Sequence, residues 1–220
     1  MERIDRRDFI RSAGLLVSGA CLSGYPVTGG GAAGNRLPQW RGFNLLDFFS
    51  PDPARARRST PEDHFKWMSE WGFDFVRIPM AYPFYLDFDR SKPINAEQVY
   101  HIDGKAVEKI DKLVALAHKY GMHASLNLHR APGYCINAGF EEPFHLWTDQ
   151  EALDAFCFHW EMWAGRYKNV SREKISFDLV NEPSMIENMN DQHSAKGPVP
   201  GHLYRKVAKA AAEAIRRVSP

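Results

Sequence analysis

Two polar residues, Asn181 and Glu182, close a short run, Ile175-Ser176-Phe177-Asp178-Leu179-Val180-Asn181-Glu182-Pro183. A mostly apolar run of this length, preceded by a basic helix end and closed by proline, reads as a buried strand. A carboxylate at the end of such a strand is held rigidly and partly out of water. That raises its pKa and suits it to proton transfer. An amide beside the acid can hold a hydroxyl without competing for the proton. Taken alone, Asn-Glu-Pro is equally well a strand-terminating turn. Two further groups change the balance: Arg77 and His129 also fall near the ends of predicted strands. Singly, Arg77 reads as a surface ion-pair partner and His129 as a satisfied core histidine. Four such groups on one rim point to a site.

Groups from distant parts of the chain meet only if their strands end together. Arg41-Gly42-Phe43-Asn44-Leu45-Leu46 reads as the first strand. Thr60 then reads as an N-cap, with Pro61 at the first helical position and acids after it. The helix carries Phe65, Met68 and Trp71 on one side and stops at Gly72. Phe73-Asp74-Phe75-Val76-Arg77-Ile78-Pro79 reads as the second strand, ended by its proline, and residues 81–102 as a long loop. Asp103 opens a helix with Ala106, Val107, Ile110, Leu113, Val114 and Ala117 at helical spacing, closed by Gly121.

Residues 122–129 read as the third strand, and 130–147 as a second long loop containing Ala131-Pro132-Gly133-Tyr134. Thr148 and Glu151 predict a capping box. The helix behind it would bury Leu153, Phe156, Cys157, Trp160, Trp163, Ala164 and Tyr167. A polar loop over 184–200 follows the fourth strand. The last amphipathic helix would bury Tyr204, Val207, Ala208, Ala211, Ile215 and Val218.

Strand and helix thus alternate four times, which implies an α/β fold of parallel βαβ units with right-handed crossovers. The long loops follow strands and the short ones follow helices, as in a (β/α)8 TIM barrel, where strand-end loops build the active site. A doubly wound sheet is the rival, but the Gly-rich phosphate turn it needs after its first strand is missing.

The 220 residues carry a net charge of +1, which argues against a nucleic-acid surface. Aromatic residues make up 13%, a feature of large cores and of sugar clefts alike. Residues 1–34 read as a leader and linker. Arg6-Arg7-Asp8-Phe9-Ile10-Arg11, followed by the apolar run from Ala13 to Ala20, is a twin-arginine pattern, so the protein is expected to be exported, to the periplasm or beyond. Ser18 stands where a lipoprotein signal ending at Cys21 would carry a large aliphatic residue, so lipid anchoring is only weakly supported. Cys135 and Cys157 could pair in an oxidising compartment, but they lack a metal-like spacing and read as buried free thiols. No metal or cofactor is expected.

The ordered set of motifs resembles glycoside hydrolase family 5, the cellulase family of (β/α)8 barrels. The matches are Arg41-Gly42-Phe43-Asn44, Phe75-Val76-Arg77-Ile78-Pro79, Leu128-His129-Arg130-Ala131-Pro132-Gly133-Tyr134 and Asn181-Glu182-Pro183. The resemblance covers the chain from about Gln39 onward. It implies a retaining β-glucanase or cellulase in polysaccharide catabolism, acting on β-1,4- or mixed β-glucans. Glu182 would be the general acid/base and Asn181 would hold the 2-hydroxyl of the sugar, with Arg77 and His129 orienting the network. Tyr134, Trp147 and Asn44 would bind substrate.

The family's nucleophilic Glu belongs on a seventh strand. Glu141, Glu142 and Glu187 lie in loops that could reach the rim, without a motif to support them. Residues 35–220 thus read as the N-terminal half of a barrel, its first four βα units, since a whole one takes about 250 residues. Alone, that half is expected to be inactive. It is also expected to self-associate through its unpaired edges and the uncovered inner faces of Phe75, Leu126, Leu128 and Phe177. Two alternatives are another Asn-Glu glycosidase on the same barrel, such as a mannanase, and a non-catalytic carbohydrate-binding or vestigial half-barrel.

The leader gives the first prediction. Replacing Arg6 and Arg7 together by Lys should hold the precursor in the cytoplasm. Cell fractionation that finds an unchanged exported yield contradicts the twin-arginine assignment.

Overall fold

The computed structural model describes residues 38–220, apart from 53, 55–58, 138, 189, 190 and 192. Arg6, Arg7 and Cys21 lie outside the described residues. Four parallel strands, β1 (Gly42–Asn44), β2 (Phe75–Ala81), β3 (His123–Arg130) and β4 (Ile175–Asp178), lie side by side in chain order. Helices α1 (Glu62–Glu70), α2 (Gly104–Lys119) and α3 (Gln150–Arg166) make the three crossovers. After β4, a short antiparallel ribbon, β5 (Met185–Ile186) with β6 (Lys196–Gly197), precedes α4 (Gly201–Val218). The ribbon lies within the stretch expected to be an unstructured polar loop.

Alternation along the strands sorts the residues onto two faces. Val76, Ile78 and Met80 of β2 and Ala124, Leu126 and Leu128 of β3 are fully buried. Phe177 of β4 shares their face, opposite Leu126 in register, and meets Trp160 of α3 at 5.5 Å. This is the helix-covered face. This corrects the expectation that Leu126, Leu128 and Phe177 line an uncovered interior. The other face carries Asn44, Arg77, Ser125, Asn127, Ser176 and Asp178 and is polar. Its lower end is closed by Trp40, stacked at 3.7 Å on His123 and at 5.8 Å on Phe75.

Several local expectations are corrected. Thr60 does not cap α1: its backbone N–H and its hydroxyl both donate to the buried Asp47 carboxylate, and Pro61 is the capping residue. Trp71 lies past the end of α1 and is 69% exposed. Pro79 does not end β2. Arg77 O and Ala81 N bond toward the β1 side, so Pro79, between them in the alternation, turns its missing donor to where β1 has ended. The capping box at α3 is not formed, because the Thr148 hydroxyl bonds to Asp149 instead. On α4, Val207, Ala211 and Ala214 are buried while Tyr204 is 41% exposed.

The helix predicted from Asp103 does form, and the Asp103 carboxylate accepts from Lys105 N–H at 2.9 Å. Gly42 is dictated by a close approach, since a Cβ there would stand 1.6 Å from Phe75 O.

One buried histidine ties α3 to the loop after β2. His159 is fully buried, with Nδ1 accepting from the Tyr85 hydroxyl at 3.0 Å and Nε2–H donating to Val99 O at 3.0 Å. Burial pushes its pKa down to about 3, against 6.5 for a free histidine. The unfolded chain then takes up a proton that the folded chain refuses. Stability should fall as pH drops from 6.5 toward 3, by up to about 1.4 kcal/mol per pH unit. Burial lowers His123, His129 and His145 too, with the same sign. Urea unfolding should give a lower midpoint at pH 5 than at pH 7, with a shallower dependence in His159→Gln. Equal midpoints contradict this account.

Candidate active site

Arg77 sits in register with Asn44 of β1 and Ser125 of β3. Ser125 and Ser176 are short, so its guanidinium can lie across β3 and reach β4. Nε donates to Asp178 Oδ2 at 2.8 Å, Nη2 to Asn181 Oδ1 at 2.9 Å and Nη1 to Asn44 Oδ1 at 3.3 Å. Asn127, wholly buried between them, donates its amide to Asp178 O at 3.1 Å. The planar fork of Arg suits three oxygens set by three backbone segments; a lysine could not meet all of them. Arg77 also fixes which end of the Asn181 amide is which: Oδ1 is taken and Nδ2 is the donor end.

Beyond Asp178 the chain leaves the regular ladder but stays tied. Asn181 N–H donates to Leu128 O at 3.1 Å, and the Trp160 indole to Leu179 O at 3.2 Å. Glu182 follows with φ of +43°, the one non-glycine residue with positive φ among the described residues. A side chain in that region costs about 1–3 kcal/mol and persists only where neighbours enforce it. Glu182 itself is exposed, so these four βα units do not supply the burial expected around it.

His129, one residue before the end of β3, is the next member of the set. Burial lowers its pKa first and the Arg77 charge next, while the Glu182 charge and the Asn181 side chain raise it. Its Nε2 lies 3.1 Å from Asn137 Nδ2. His129 Nδ1 and Asn181 Nδ2 are buried and make no hydrogen bond of full geometry. Both are polar atoms left over at the centre of the network, although Asn181 still bears on the His129 proton.

The loop after β3 is built on a buried ion pair that sequence reasoning did not assign. Arg130 Nη1 donates to Glu142 Oε1 at 2.9 Å, and these side chains are 4% and 1% exposed. Tyr82 O–H and Gly133 N–H donate to Glu142 Oε2 at 2.6 and 3.1 Å. Burial pushes the Glu142 carboxyl up against the pull of Arg130 and these donors. Glu142 therefore does not face the rim. Gly133 has φ of +75°, and a Cβ there would meet Leu146 N at 2.8 Å, so the turn needs glycine.

Of the expected site residues, the structure gathers Asn44, Arg77 and Asn181 into direct contact and sets His129 and Glu182 next to them. Tyr134 and Trp147 are corrected: both are buried, 0% and 2% exposed, and present no face to a sugar. Their polar atoms go to the turn instead. Tyr134 O–H donates to Glu182 O at 2.6 Å and accepts from Ser184 N–H at 2.8 Å, while the Trp147 indole donates to Ser184 O at 2.9 Å. Asp178 was missed, although Ile-Ser-Phe-Asp alternates and so places Ser176 and Asp178 on one face. Cys135 and Cys157 are free thiols, as read, though Cys157 is only half-buried.

Residues 28–220 match the family model for cellulase, glycosyl hydrolase family 5. The chain belongs to that family. Cellodextrinase A of Ruminococcus flavefaciens is 31% identical over 149 residues, 64% of this chain and 40% of that protein. Endoglucanase C of Acetivibrio thermocellus is 34% identical over 121 residues, 55% of this chain and 32% of that protein. A crystal structure of a glycoside hydrolase superposes with a TM-score of 0.66 at 35% identity, covering 81% of this chain and 50% of that one. Endoglucanase Cel5A of Thermotoga maritima, at 20% identity and a TM-score of 0.58 over 82% of this chain and 48% of its own, shares the fold. The chain thus spans about half the length of these two solved structures and less than half of those curated relatives. The four parallel βα units are the α/β TIM-barrel type expected.

The Arg130–Glu142 pair gives a stability prediction. Glu142→Gln keeps the shape but leaves the Arg130 charge buried without its carboxylate, which should cost about 3–5 kcal/mol. Denaturant unfolding checks it. A loss under about 1 kcal/mol, the range of an exposed pair, contradicts a structural role for Glu142.

Proposed function

We propose that residues 35–220 form the N-terminal half of the barrel of an exported, retaining β-glucanase, with Glu182 as general acid/base. The observation that carries this reading is the Asn181–Glu182 pair at the end of β4, its amide oriented by Arg77. In this reading Asn181 Nδ2 is the donor for the sugar 2-hydroxyl, and Asn44, Arg77 and His129 set the charge and hydrogen bonding around it. A retaining mechanism needs a second carboxylate about 5–5.5 Å from the first. By the family resemblance that nucleophile stands on a seventh strand, outside the four described here.

The names of the similar proteins, a cellodextrinase, an endoglucanase and a probable glucan 1,3-beta-glucosidase, support a β-glucan or its oligosaccharides as substrate. The twin-arginine leader supports export. An apolar groove beside β1, with Phe43, Leu46, Trp67 and Trp71 exposed, is the surface that further barrel units, or a second copy, would cover.

Glu182→Gln in the full-length protein tests the assignment. The variant keeps the shape and loses the transferable proton. It should lose most of its rate on cello-oligosaccharides and far less on activated aryl glucosides, where the leaving group needs no proton. Equal losses on both overturn the acid/base role. Activity on β-mannan but not on β-glucan overturns the substrate assignment alone.

A further inference from the structure

In an extended strand, successive side chains point to opposite faces. Asn181 and Glu182 lie past the end of β4, where that alternation no longer holds, and Asn181 bonds to Arg77. The left-handed backbone of Glu182 accompanies this break in the alternation. β4 ends at Asp178, and the last backbone tie to β3, from Asn181 N–H to Leu128 O, lies before Glu182. What spans the turn is one phenol. Tyr134 O–H donates to the carbonyl of Glu182 and accepts from the N–H of Ser184, bracketing Glu182 and Pro183 with a single oxygen. Trp147 packs on Tyr134 at 5.1 Å and holds Ser184 O. The Ser184 hydroxyl, in turn, donates to Gly197 O of β6 at 2.8 Å, anchoring the far side of the turn on the ribbon.

We infer that Tyr134 is a positioning residue for the acid/base: its hydroxyl locks the left-handed turn at Glu182, so that two consecutive side chains act on one substrate. This rests on the reading of Glu182 as the acid/base. Burial raises the phenol pKa, so the donor to Glu182 O is kept throughout the neutral range. The Ala-Pro-Gly-Tyr loop then has a catalytic consequence without touching sugar. Gly133 makes the turn, the Arg130–Glu142 pair fixes its base, and Tyr134 passes that rigidity to Glu182.

The test is Tyr134→Phe in the full-length protein, which removes both hydrogen bonds and keeps the ring against Trp147. A misplaced acid should lower kcat about 100-fold on cello-oligosaccharides, with KM little changed and activated aryl glucosides nearly unaffected. In a Glu182→Gln background the same change should have almost no further effect, because the group it positions is gone. Equal loss on both substrate types, persisting in that background, marks a general structural role and overturns the proposal.

Activity that falls with Glu182→Gln but not with Tyr134→Phe overturns the clamp alone. Activity that falls with neither overturns the acid/base reading and the clamp with it. Should Tyr134→Phe fail to fold, Trp147→Phe removes the indole anchor on Ser184, and some packing with it, while leaving both Tyr134 hydrogen bonds. It should give a smaller loss with the same dependence on leaving group, and a loss without that dependence overturns the proposal.

Discussion

The register of β2 against β3 is the constraint on which the rest of the molecule depends. It sets Arg77 opposite Ser125, on the face that the helices do not cover, with β4 one strand further on. One guanidinium on the second strand can then collect oxygens from the first and fourth strand regions. A shift by a single residue would turn Arg77 into the helix layer and bring Val76 or Ile78 to the site face. Packing and chemistry are thus coupled: the apolar residues that drive the helices onto one side of the sheet are what keep the polar set on the other.

The second dependence runs through the loop after β3. A buried carboxylate, Glu142, organises it from within, with donors from Arg130, Tyr82 and Gly133. Such a pair is costly to bury, and replacing both partners by apolar residues could give equal stability. What it supplies here is a fixed base for Tyr134 and, through Tyr134, for the turn at Glu182. Sites held this way, on strand ends with supporting hydrogen bonds behind them, keep their geometry within the small tolerance that catalysis demands.

Much of this was legible in the chain. Strand–helix alternation gave the α/β class, and helical spacing gave the buried faces of α2 and most of α3. Gly marked breaks where the backbone required positive φ, as at Gly72 and Gly121. The misses have common causes. Thr60 and Thr148 have cap-forming side chains, but nearby aspartates compete for their hydroxyls, and spacing cannot show that. Pro79 looked like a strand end because the missing neighbour on its β1 side is a property of the sheet. The family resemblance implies that Tyr134 and Trp147 bind substrate, whereas their burial depends on tertiary packing that residue type does not show. The positive φ at Glu182, a residue that rarely adopts it, leaves no trace in residue type.

The central claim is that the polar face at the end of β4 receives the sugar. A crystal structure of the full-length Glu182→Gln variant with an unhydrolysed cello-oligosaccharide tests it most directly. The account predicts a sugar 2-hydroxyl hydrogen-bonded to Asn181 and a glycosidic oxygen within reach of residue 182. It also predicts Tyr134 and Trp147 still buried beneath the turn. An oligosaccharide bound only elsewhere would contradict it. One such place is the cleft of about 380 Å³ lined by Phe88, Arg90, Lys92 and Phe140, among the loops after the first three strands.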